Sequence, residues 1–328
     1  NLRLIMRDLP DGANHDIGYR NAWKLLTGRD WGQAGDAAKS PAHDAEKKPE
    51  YPMYAGVISD AHAHLKGKEA SSDGTIAAMD KNKIDVVLMW VKNQGGWTDD
   101  DTLAFSEKYP GRVIPGIAFQ NKDWSKQKKS FIREVREKAG SGKFKAMGEV
   151  SVRGKIGGNL NAPPDSPLLK DVMDISAEFA LPVSIHHNPY NRTGDGYERT
   201  GEYETFIEQT LTHNPETTVI WAHWCGQSPP EDARRLLKRF PNLYCELAWL
   251  HKFPDYVATL LIDENRQFIA GWKKLIEEFP DRFIVGVDSS APPKNLKDYN
   301  KRVRKIRTAL GGLSPDAARK VATRNTTR

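Results

Sequence analysis

The stretch YAGVISDAHAH, residues 54–64, decides how the rest of the chain is read. It starts as a short apolar run, a candidate strand over 54–62, and closes on Asp60, His62 and His64. Residues two apart point to the same side of an extended strand, so this one strand offers two imidazoles to one ion. Working outward, comparable runs follow at 85–91 (DVVLMWV), 113–119 (VIPGIAF), 145–152 (KAMGEVSV) and 181–187 (LPVSIHH). Three more lie at 218–223 (TVIWAH), 243–249 (LYCELAW) and 283–289 (FIVGVDS), which with the first make eight. Continuous apolar runs without strict alternation are what strands covered on both faces show.

Amphipathic segments of helical length separate these runs, at 74–81, 126–139, 166–179, 202–212, 230–239 and 268–278. The alternation predicts an α/β fold, a (β/α)8 TIM barrel over residues 54–328, with an open doubly wound sheet as the alternative. Residues 1–53 differ. AWKLLTG inside 21–28 reads as a short helix stopped by Gly28, and 32–50 has no apolar periodicity. They are expected to form an N-terminal extension, partly irregular.

Barrel chemistry sits at the C-terminal ends of the strands. Strand one ends on His62 and His64, strand four near Glu149, and strand five on His186 and His187. Strand six ends on His223, strand seven near Glu246 and strand eight on Asp288. Five of the nine histidines therefore fall at strand ends. Imidazole suits zinc, iron, nickel and copper, and a carboxylate from another strand brings in manganese.

Composition limits the function classes. Apolar residues make up 38% and charged residues 28% of 328, ordinary for a globular protein. No apolar run approaches the roughly 20 residues that cross a bilayer, so a spanning segment is not expected. Net charge is +6, and a basic segment at 294–307 supplies much of the excess. With only Tyr299 among those charges, it reads as a solvated helix face, and nucleic acid is not the expected partner. The expected partner is a small molecule, with self-association left open. Cys225 and Cys245 allow one disulfide at most, and Cys225 reads as a buried inert thiol. The chain begins at Asn1 rather than Met, which leaves the compartment open between cytoplasm and periplasm.

DAHAH at 60–64, AAMDKNKIDVVLM at 77–89, LPVSIHHN at 181–188, WAHWCG at 221–226 and FIVGVDSS at 283–290 together carry a family resemblance. With the closing LSPDAARKVATRNTTR at 313–328, they resemble the amidohydrolase superfamily. The likeness is to its amidohydrolase 2 branch of metal-dependent TIM-barrel hydrolases and decarboxylases. An Asn-Ala-x-Arg-like ending of that family is altered here to Asn325-Thr326-Thr327-Arg328. The resemblance implies that His62, His64, His186 and Asp288 ligate a divalent metal. It implies that His223 positions or deprotonates a water on that metal, with Asp288 serving both tasks. Zinc is the expected ion, manganese the second choice. His187, on the opposite side of strand five from His186, is expected to be a packing or supporting histidine. One ion per chain is favoured; Glu149 would bridge a second, as in TatD-like nucleases. Arg153 and Arg192 follow strands four and five and are expected to bind an anionic substrate, since arginine forks match carboxylates. Trp90, Trp97, Trp221, Trp224 and Trp249 either wall a pocket or pack the barrel.

The expected reaction is hydrolysis of an ester, lactone or amide by a metal-activated water. Decarboxylation on the same site is the alternative. A retaining glycosidase using Glu149 and Glu246 and a barrel that binds without catalysis are the lesser readings.

Overall fold

The structure, a computed structural model, describes residues 51–65, 72–92, 96–152, 166–187, 190–193, 196–199, 201–248, 261–291 and 296–326. The chain divides into units 1–50 and 51–328, and the described residues all belong to the second. The expected helix at 21–28 and the connector at 32–50 lie outside the described residues.

The strands are β1 (Ile58–Leu65), β2 (Ile84–Val91), β3 (Val113–Ala118), β4 (Ala146–Ser151) and β5 (Val183–His186). A hairpin, β6 (Tyr190–Thr193) and β7 (Gly196–Arg199), follows. Then come β8 (Val219–Trp221), β9 (Leu243–Glu246), β10 (Phe283–Ile284) and β11 (Ser289–Ala291). Nine of them form one parallel sheet in the order β10-β9-β8-β5-β4-β3-β2-β1-β11. Its two outermost strands are neighbouring pieces of one segment, 283–291, and that closes the ring. Leu247 N donates to Ile284 O at 2.8 Å on one side. Ala61 N donates to Val285 O at 2.8 Å and Asp288 N to His62 O at 2.9 Å on the other. The eight staves of a TIM barrel result, as the alternation predicts.

A closed barrel has two packed regions, one between strands and helices and one inside the strands. The main core joins strand and helix residues such as Val183, Val219, Trp272 and Leu275. Two small separate clusters consist of strand residues alone: Ala61, Ile220 and Ile284, and Leu88, Trp90 and Ala146.

Three departures from the sequence reading have local causes. β1 starts at Ile58, not Tyr54, because the preceding backbone is committed to the C-terminal helix Leu296–Gly311. Tyr54 N donates to Arg307 O at 2.9 Å, and the Arg307 guanidinium donates to Tyr54 O, Gly56 O and Asn82 O at 2.6–2.8 Å. The helix Asp99–Lys108 was not expected, since its apolar stripe is thin; a capping box, Thr98 with Asp101, and three aspartates in its first turn start it. The β6–β7 hairpin is polar in sequence and gives no apolar signal.

The basic segment is not simply a solvated face. Arg302 donates to Asp288 O at 2.9 Å and pairs with Asp298 at 3.0 Å, while Arg307 holds the entry to the barrel. Lys294 lies outside the described residues. Charged hydrogen bonds are each worth about 1.5–3 kcal/mol where buried. Arg307 is half-buried, so Arg307→Ala is expected to cost about 2–3 kcal/mol in urea unfolding without disturbing the far end of the barrel. Among the described residues, no helix is long and apolar enough to cross a membrane.

Candidate metal centre

β1 is buried along its whole length and places His62 and His64 at the C-terminal end of the barrel. Asp60 anchors that end: its Oδ1 accepts from His62 N at 3.0 Å and from Val287 N at 2.8 Å, tying β1 to the segment between β10 and β11. Burial pushes Asp60 up to about 7 against the pull of those two amides.

His62 Nε2 and His64 Nε2 converge to 3.1 Å. Asp288 Oδ1 lies 3.6 Å from the first and 3.3 Å from the second. Ligand atoms held about 2.0–2.2 Å from one tetrahedral ion stand roughly 3.3–3.5 Å apart. The triangle has the size for one ion. Trp90, fully buried, sets its ring edge-on against both imidazoles at 5.1 and 6.1 Å between centroids.

A second triangle abuts the first. His186 Nδ1 contacts Glu149 Oε1, and His223 Nε2 lies 3.3 Å from that oxygen and 3.4 Å from His186 Nδ1. The other Glu149 oxygen, Oε2, is 3.6 Å from His64 Nε2 and 3.8 Å from His62 Nε2. One carboxylate thus turns one oxygen to each triangle. His186 stands in the second group, on the far side of Glu149 from the ligand set that the resemblance implied for it. Both groups have three ligand atoms close enough to share an ion.

Two supporting residues complete the geometry. Glu246, fully buried on β9, accepts from His62 Nδ1 at 3.1 Å and from His223 N at 3.4 Å. A proton on Nδ1 leaves the His62 Nε2 lone pair directed at the triangle, the usual arrangement of a metal-bound imidazole. This position also disposes of the glycosidase reading: Glu246 sits behind His62, not open to a sugar. Gln120, at the end of strand three, donates through Nε2 to Glu149 Oε2. Sequence reasoning missed Gln120; the signal was a polar residue directly after the buried Phe119, at a strand end where substrate chemistry gathers.

Burial weakens the charged form of every group here, and the neighbours decide the outcome. Burial lowers His62, but Glu246, Asp288 and Glu149 around it raise it to about 10. Burial dominates at His64 and lowers it. Asp288 is pushed up by burial and brought well below the carboxylate range by His62, His64 and His223. Glu149 behaves likewise under His186 and His62. The carboxylates demand buried positive charge, which a divalent cation would supply.

His187 lies on the other side of β5: its Nδ1–H donates to Val152 O at 2.8 Å and its ring packs on Phe206, as expected of a packing histidine. Trp221 and Trp224 are buried packing residues and Trp97 packs on the core, while Trp249 lies outside the described residues. Arg153 and the side chain of Arg192 also lie outside them.

Cys225 is not a free thiol. It is joined to Cys245 by a disulfide, with the Cα atoms 4.9 Å apart. β8 and β9 run side by side with Trp221 opposite Cys245, and the chain beyond Trp221 folds back towards that residue. It does so through five consecutive left-handed residues, His223 to Gln227, with φ between 41° and 64°. Four of them are not glycine, and each such residue costs about 1–2 kcal/mol. The fifth, Gly226, has no room for a Cβ, which would lie 2.5 Å from His187 O.

Gly286, between β10 and β11, is required for a different reason. A Cβ there would stand 1.7 Å from Glu246 Oε1 and 2.8 Å from the His62 Cβ. Gly286→Ala is expected to displace Glu246 and weaken metal binding roughly 10–100-fold, the usual effect of losing a supporting contact to a ligand. Metal titration of the folded variant checks this.

No curated protein sequence matches the chain. Solved structures share its fold. An uncharacterized TIM-barrel protein from Bordetella bronchiseptica is 15% identical, with a TM-score of 0.55, 83% of this chain and 98% of that one being covered. A 2,6-dihydroxybenzoate decarboxylase from Rhizobium is 12% identical, with a TM-score of 0.52 and coverage of 84% and 98%. An organophosphorus hydrolase variant from Deinococcus radiodurans is also 12% identical, with a TM-score of 0.52 and coverage of 83% and 92%. These likenesses speak for the barrel, whereas membership comes from the sequence: the amidohydrolase family model matches residues 60–328, and the chain belongs to that family.

Proposed function

We propose that the protein is a metal-dependent hydrolase acting on an ester, lactone or amide of a small molecule, at two cation positions that share Glu149. The observation that carries this is the pair of adjoining ligand triangles with one oxygen of Glu149 on each. A divalent cation here supplies Lewis acidity and lowers the pKa of a coordinated water towards about 7.

The chain's own residues do the rest. Asp288, 11% exposed and the most open carboxylate of the set, accepts the proton of the attacking water and returns it to the leaving group. Glu246 holds His62 in the ligating tautomer. If only the first position is filled, His223 acts as the base instead, the role expected from the sequence. Zinc fits the ligand set best, with manganese second. Arg153 and Arg192, placed after strands four and five in sequence, are assigned to an anionic group of the substrate. Their replacement by alanine should raise KM with kcat little changed. The catalytic unit is assigned to 54–328, with 1–53 as an appendage.

The fold shared with a 2,6-dihydroxybenzoate decarboxylase keeps one rival reading, loss of CO₂ from a carboxylate at the same centre. Elemental analysis of protein purified without chelator, followed by a panel of lactones, esters and aromatic carboxylates, separates the two. Two ions per chain with ester or lactone turnover is the expected result. One ion with CO₂ release replaces the hydrolase by the decarboxylase. Absence of metal after reconstitution with zinc or manganese removes both.

A further inference from the structure

The left-handed run at His223–Gln227 carries His223, one ligand of the second position, and contains one end of the disulfide. The β8–β9 ladder stops at the Trp221–Cys245 pair, two residues before His223. Beyond it, Ser228 N donates to Cys225 O at 3.2 Å, and His223 N reaches Glu246 Oε2 at a long 3.4 Å. Where the ladder ends, the Cys225–Cys245 bond begins. Both cysteines are fully buried, so the bond is no surface staple. Its ends are placed tellingly: Cys225 is two residues from His223, and Cys245 adjoins Glu246, the residue that holds His62.

We propose that the Cys225–Cys245 disulfide is a positioning element of the metal centre. It clamps the turn bearing His223 to the strand bearing Glu246, and so sets the affinity of the Glu149–His186–His223 position for a divalent cation. This rests on the two-position reading above. The His62–His64–Asp288 position draws its ligands from β1 and from the segment between β10 and β11, and depends on the bond much less.

The test uses Co²⁺ as the probe, following its visible absorption during titration of metal-free full-length protein. Three samples are compared: oxidised wild type, wild type reduced and desalted under argon, and the Cys225→Ala/Cys245→Ala variant. Reduction by a water-soluble phosphine consumes one water, giving two thiols and the phosphine oxide, and thiol counting reports its completion. The second Co²⁺ equivalent should weaken roughly 10–100-fold when the bond is absent, the first changing little. Reoxidation by glutathione disulfide should restore it. Arg307→Ala, destabilised at the other end of the barrel with the disulfide intact, should keep both affinities, which separates positioning from general loss of stability. Should the double variant not fold, reduced wild type gives the answer.

Two tight equivalents with the bond broken, or in purified protein whose cysteines are already free thiols, would overturn the proposal alone. Oxidised wild type that binds no Co²⁺ would overturn the metal-centre reading beneath it.

Discussion

Replacing His62 and His64 together by alanine is expected to empty the first cation position and lower kcat/KM by about 10³–10⁴. The size follows from what is lost. Metal polarisation of the reacting group is worth several kcal/mol in the transition state, and each 1.36 kcal/mol is about tenfold in rate. Two of the three ligand atoms in the first triangle disappear, and Asp288 alone cannot hold an ion against water. Asp288 and Glu149 also lose the imidazole that draws both below the carboxylate range. The variant should therefore remain folded but lose most of the ligand stabilisation that a bound metal gives the wild type, about 4 kcal/mol at a thousandfold excess over Kd. Elemental analysis and thermal unfolding with and without added zinc read this directly. A variant with full metal content would mean that the ion is held elsewhere, and the first triangle would lose its role.

Much of this was legible in the sequence because the barrel puts its chemistry at strand ends, where short motifs survive. H-x-H at 62–64, His186, His223, Glu149 and Asp288 all fall within one contiguous cluster of rings and carboxylates. What the sequence could not give was their grouping. His186 and His223 share Glu149, 37 and 74 residues away along the chain, only because β4, β5 and β8 are neighbours in the sheet. Gln120 and Glu246 were harder still. Each acts on a residue of another strand, so no local pattern marks it as a support. The disulfide was concealed for a further reason: a buried thiol and a buried half-cystine look alike in one sequence, and only the left-handed turn brings the two sulfurs together. The start of β1 was misplaced because Arg307, some 250 positions later, claims the backbone carbonyls of Tyr54 and Gly56.

Glu149→Gln should cost one cation and about 10³ in kcat/KM, and of all single changes it discriminates most sharply between one ion and two. The substitution keeps the shape of the side chain and its contact with Gln120 in reach, but it removes the charge. It also replaces one acceptor oxygen by an amide nitrogen, which offers no lone pair to a metal. With that nitrogen turned to His186 and His223, the second triangle loses its third ligand. Loss of the charge matters independently. Glu149 is 2% exposed, and His186, His62 and His223 all face it. Without the carboxylate, these imidazoles lose the partner that holds them around a cation. If two positions exist, metal content falls from two to one and most activity goes with the second ion. If only the His62–His64–Asp288 position is ever filled, metal content stays at one and the loss is confined to kcat, through the proton chemistry of His223. Rescue separates a weakened site from a destroyed one. Raising zinc or manganese until the second position refills should restore part of the rate in the first case. The same metal titration in Glu149→Asp, which keeps the charge on a shorter stem, should show both ions bound, the second more weakly. That asymmetry is what a shared carboxylate requires and what a mere hydrogen-bond acceptor would not produce.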